Sequence, residues 1–102
     1  MDSSTNGERS YRLEFSGVIR QEFRELLRQA VWQGRGPQFR EALRTIFHRL
    51  ASDPNEFGEP LYRLTNLHLH VRHAAVGPLV VHFAVHEVYP LVFIKAVDLL
   101  PE

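Results

Sequence analysis

The sequence predicts an α+β domain in which one strand and a helical hairpin precede a three-stranded antiparallel meander. Three observations predict it. Apolar residues recur every three or four positions through two central stretches. They alternate with polar residues, or run together as Val, Leu, Phe and Ile, in short segments on either side. The connections between the last three segments are too short for a helical crossover, so those strands run antiparallel.

Each element has its own justification. The opening "MDSSTNGERS", residues 1–10, is small and polar with no periodic apolar position, and is expected to be a disordered leader. A single domain is expected over residues 11–102. "YRLEF" sets Tyr11, Leu13 and Phe15 against Arg12 and Glu14, a short half-buried strand, and Ser16 offers a hydroxyl as the N-cap of the next element, a helix. From Val18 to Gln33, Ile19, Phe23, Leu26, Leu27, Ala30 and Val31 form an apolar stripe, while Arg20, Arg24 and Arg28 line another face, where Glu22 and Glu25 can pair with them. "GRGPQF" interrupts this helix. Pro37 suits the first turn of a second one, in which Phe39, Leu43, Ile46, Phe47 and Leu50 repeat the pattern until Asp53-Pro54 stops it. "NEFGEPLYRL" reads as a loop punctuated by Gly58 and Pro60. Strands are expected at Leu67 to His73, Leu79 to Glu87 and Leu91 to Val97, joined by "AAVG" and "VYP".

Composition narrows the function classes. With 102 residues, 44% hydrophobic and 24% charged, the chain has ordinary globular composition. It has no cysteine, which excludes disulfides and thiolate chemistry. It carries neither a signal-peptide pattern nor an apolar run of about 18 residues, so a cytoplasmic protein without membrane contact is expected. Lys+Arg 12 balances Asp+Glu 12, against the basic excess usual in nucleic-acid binders. Lys95 is the only lysine, and arginine makes bidentate contacts to phosphate or carboxylate, so a neutral total can hide a local patch.

The element order, the "YRLEFS" opening and the run from Asp53-Pro54 through Phe57-Gly58 to Leu64, followed by a basic strand, resemble the RelE/ParE superfamily of type II toxin-antitoxin toxins. The likeness spans Tyr11 to about Leu100. It implies a helical hairpin on one face of a twisted antiparallel sheet, a concave site on the other face, and a cognate antitoxin protein as partner. It also implies one of two activities, cleavage of mRNA on the ribosome or poisoning of DNA gyrase. No cofactor is implied. RelE-like nucleases offer basic side chains from the strand where His68, His70 and Arg72 stand here. The arginine that usually opens the next strand is replaced by Pro78 and Leu79, and "VDLLPE" lacks the arginine and tyrosine that usually come after the last strand.

Strand parity organises the candidate site. If Leu67, Leu69 and Val71 point to the helices, His68, His70 and Arg72 point away. His82, Ala84 and His86 share the outer parity of the next strand, and Lys95 lies with Leu91 and Phe93 on the last. Aligned registers would gather four histidines, Arg72 and Lys95 on one surface. For RNA cleavage, His70 and His82 are the proton-transfer candidates and Arg72 the phosphate stabiliser, with His68, His86 and Lys95 contacting substrate. No metal is assigned, although the histidines are ligand types. The rival expectation is a non-enzymatic binding module.

Overall fold

The computed structural model describes residues 10–101, so the leader expected at 1–10 lies outside the described residues except for Ser10. The architecture is α+β. Strand β1 (Arg12–Glu14) leads into helices α1 (Gly17–Trp32) and α2 (Gly36–Ser52), then β2 (Glu59–Leu64), β3 (Leu69–Val76), β4 (Leu79–His86) and β5 (Leu91–Leu99). The five strands form one sheet in the order β1-β5-β4-β3-β2. Strands β2 to β5 pair antiparallel with their neighbours, whereas β1 lies parallel to β5 and makes the sheet mixed.

The expected hairpin is present with its expected punctuation. Ser16 caps α1 by accepting the Ile19 N–H at 3.2 Å. Gly34, at φ 76, closes the helix in the left-handed region that glycine tolerates, with the Arg35 N–H returning to the Ala30 carbonyl at 2.7 Å. Pro37 sits in the first turn of α2. That helix ends at Asp53, where Arg49 donates to the carboxylate at 2.9 Å and holds it below the usual carboxylate range.

The meander has four strands, not three. "NEFGEPLYRL" contains β2, which pairs with β3 through a bulge between Pro60 and Tyr62. Its period-2 signal is scrambled by that bulge and by Pro60, a residue tolerated on a sheet edge. Gly58, at φ 72, admits no side chain: a Cβ there would lie 2.1 Å from the His73 carbonyl oxygen. Between β2 and β3 the chain makes a 3-10 turn over Thr65–Leu67, and His68 takes the left-handed conformation at φ 56.

The core lies between the hairpin and one face of the sheet. Phe39, Ile46 and Leu50 from α2 meet Leu79, Val81, Phe83 and Val85 from β4 and Val92 from β5. Each of these is at most 1% exposed, and each such burial contributes about 1.5–3 kcal/mol. Outside β4, Val92 is joined in this cluster by Ala74, Ile94, Val97 and the half-buried Leu13, Val76 and Leu99, and Phe57 comes from the loop before β2.

Candidate functional site

The turn between β3 and β4 decides which side chains share a face. It has two residues, Gly77 at φ 54 and Pro78, and it pairs Val76 with Leu79. The register then runs on without slippage, setting Ala74 opposite Val81, Arg72 opposite Phe83 and His70 opposite Val85. Because Val81, Phe83 and Val85 face the helices, so must Arg72 and His70. The expected parity of β3 is therefore reversed: Val71 belongs to the helix-free face, where it stands opposite Ala84. The turn expected at "AAVG" begins three residues too early, and an early turn leaves the register open.

Both misplaced side chains are occupied on the helix side. Arg72 donates from Nε to the Phe57 carbonyl at 2.9 Å and from Nη2 to the Gly58 carbonyl at 3.0 Å, clamping the entry to β2. His70 Nε2 lies 2.7 Å from Glu87 Oε2. Glu87 also receives a two-pronged contact from Arg63, through Nε and through Nη2 at 2.9 Å, and His68 Nδ1 approaches it at 3.7 Å. The Arg63 hydrogen bonds, with the charges of Arg63, His70 and His68, hold Glu87 down to about 2 against an ordinary 4.5. Glu87 is thus ionised, and His70 presents Nε2 to it. His70, Glu87, Tyr11, Asn55, His86 and Tyr89 line a cavity of about 430 Å³. There Asn55 donates to the Tyr11 hydroxyl at 3.3 Å.

The helix-free face holds a different group. His73 pairs with His82 across the strands, their rings stacked at 5.8 Å between centroids. Glu59 Oε1 lies 3.9 Å from His73 Nε2, and the Nδ1 of His82 is buried without a hydrogen-bond partner. Val71 and Ala84, 2% and 1% exposed, are buried on this face apart from the main core. Lys95 Nζ lies 5.9 Å from the centre of the Tyr62 ring, although β4 and β3 separate their strands. Strands so placed are roughly 14 Å apart on a flat sheet, so the two long side chains lean toward each other across the face. Its arginine, Arg12, sits on the outermost strand beside Glu14 at 2.7 Å.

The six expected site residues thus fall in two places. His70 and Arg72 lie on the helix side with their polar atoms engaged, and His68 is outside the strand at the end of the 3-10 turn. His82, His86 and Lys95 keep the outer parity expected of them. His86 turns its Nδ1 to the N–H groups of Val88 and Tyr89, at 3.0 and 3.1 Å, which places the proton of its neutral form on Nε2. Sequence reasoning missed His73, whose outer position depends on the true turn, and gave no sign that Glu87 is shared by Arg63, His68 and His70. The adjacent signal was Arg63, hidden in a segment read as loop. Among the described residues, no group of three or more His, Asp or Glu is arranged to hold a metal ion. No protein-family model matches the chain, and neither the curated proteins nor the solved structures contain a significant match to it.

Proposed function

We propose that the chain is a toxin-like component of a type II toxin-antitoxin module, of RelE/ParE type, that acts by binding a partner protein and does not cut RNA. The observation that carries this reading is the division of the candidate catalytic set. His82 stands on one face of the sheet, while His70 and Arg72 stand on the other, bound to Glu87 and to the carbonyls of Phe57 and Gly58. An arginine held by two carbonyls is not free to stabilise a phosphorane, and losing one such stabiliser costs about a hundredfold to a thousandfold in rate. The helical hairpin on one face of the sheet supports the resemblance, and the partner is an antitoxin or a target such as DNA gyrase.

A second reading has one specific observation behind it. The His70–Glu87 pair lines a polar cavity, an arrangement suited to a general base acting on RNA at the ribosome. Induced expression in bacteria, with and without the adjacent reading frame, separates the two. The binding module arrests growth while RNA stays intact, and the adjacent product relieves the arrest. RNA cleavage that disappears in His70→Ala establishes the second reading instead.

A further inference from the structure

The neutral net charge is an average over two unequal parts. Between 17 and 52 the chain carries seven arginines and three glutamates, a net of +4, so the remainder carries −4. The hairpin is therefore the basic part of the chain, while the acidic excess lies outside it, in connecting segments such as Asp53, Glu56 and Glu87. Its arginines are not evenly spread. Arg20 and Arg24 border a groove of about 320 Å³ between α1 and α2, floored by Leu27, Leu43, Phe47 and Phe15. On α2, Arg40 and Arg44 stand three positions before Leu43 and Phe47, which sets them along the opposite rim. Arg28 pairs with Glu25 and Arg44 with Glu41, whereas Arg24 and Arg40 have no acidic partner among the described residues. At the end of the groove's first wall Trp32 is 90% exposed and Val31 51%.

We infer that this groove receives an acidic amphipathic helix of a partner protein. The inference rests on the binding-module reading and names the chemistry of the partner. An apolar floor between two cationic rims matches a helix with leucine-like residues on one face and carboxylates flanking them, the helix-in-groove mode of peptide recognition. Charge segregation steers such a segment to the hairpin and away from the acidic remainder. On α1 the groove runs from Arg20 to Leu27, about two helical turns, so it takes the apolar side chains of a partner helix while the rest of that helix lies over the rims. Single-stranded RNA fits less well. The floor rings of Phe15 and Phe47 stack on each other at 20°, Phe23 packs edge-on to both at 83° and 80°, and the guanidinium of Arg20 already covers Phe15 at 5.2 Å. No open ring face remains there for stacking bases.

The test uses the full chain and a synthetic 18-residue peptide with leucines at i, i+3, i+4 and i+7 and glutamates on the opposite face, with binding read by fluorescence anisotropy. Saturable, salt-sensitive binding is expected, with NMR shifts centred on Leu27, Leu43 and Phe47. The exposed pair of changes Arg24→Glu and Arg44→Glu should leave the melting temperature nearly unchanged and weaken binding by about tenfold or more. The same variant should prefer a peptide with lysine in place of glutamate. Equal affinity of the variant for both peptides, shifts confined to the helix-free face, or tighter wild-type binding to single-stranded RNA or to phosphatidylserine vesicles than to the peptide overturns the inference. The binding-module reading is judged separately by RNA integrity after induction, so cleaved RNA removes that reading without altering the peptide result.

Discussion

Two histidine pairs occupy neighbouring strands under opposite electrostatic regimes. His68 and His70 share a carboxylate held ionised by Arg63. His73 and His82 lie on the opposite face against each other, with only the distant Glu59 nearby and one buried nitrogen unpaired. The residue type is the same, and the neighbours differ. An imidazole's chemistry is set by the charge fixed beside it, and here that charge is Glu87, 17 positions beyond His70 and 19 beyond His68.

The largest effect that breaks this contrast is Gly58→Ala. A Cβ 2.1 Å from the His73 carbonyl oxygen forces β2 away from β3 and disturbs both pairs at once. A loss of at least about 3 kcal/mol in urea unfolding is expected. Next comes Glu87→Gln, which acts on one pair only. Because the folded carboxyl sits near 2 and the ordinary value is 4.5, its contribution is complete above about 4.5 and fades as pH falls toward 2. The wild type should lose stability through that window more steeply than Glu87→Gln, as read by urea midpoints from pH 5.5 to 2.

A smaller pair of changes sharpens the contrast by sign. His82→Leu removes an unpaired buried nitrogen and should leave stability unchanged or raise it by up to about 1 kcal/mol. His70→Leu removes a bond to an ionised carboxylate, half exposed to water, and should cost about 0.5–1 kcal/mol. Equal shifts in thermal midpoint for the two would erase the distinction. Smallest of all is His68→Asn, which keeps a residue tolerant of the left-handed conformation and gives up only a 3.7 Å approach. Less than about 0.5 kcal/mol is expected, read by the same thermal melts.

How much of this was legible in the sequence divides along the range of the interactions. Ser16, Gly34, Pro37 and Asp53-Pro54 act within one helical turn of their own positions, and they define the hairpin directly. Strand existence was also legible, except for β2, where Pro60 and a bulge break the alternation. The site was not, because a face assignment depends on register, and register depends on where a turn begins. Placing the turn at Gly77-Pro78 reverses His70, Arg72 and Val71 together. The carboxylate at the centre of the His68–His70 group lies beyond β4, out of reach of any local pattern. The arginine row on α1 was visible as a row, but its facing partners on α2 required the two helices side by side.

The parallel pairing of β1 with β5 carries a consequence for biosynthesis. Arg12 stands beside Leu91, so two strands 79 positions apart must meet before that edge of the sheet closes. A ribosome adding roughly 5 to 20 residues per second makes Leu91 about 4 to 16 s after Arg12. During that interval the part of the apolar stripe of α1 that packs against β5 stays uncovered, with only α2 beside it. The nascent chain therefore passes through a stage with a complete hairpin and an unfinished sheet, and a holding chaperone or a co-translated partner helix finds its greasy side open.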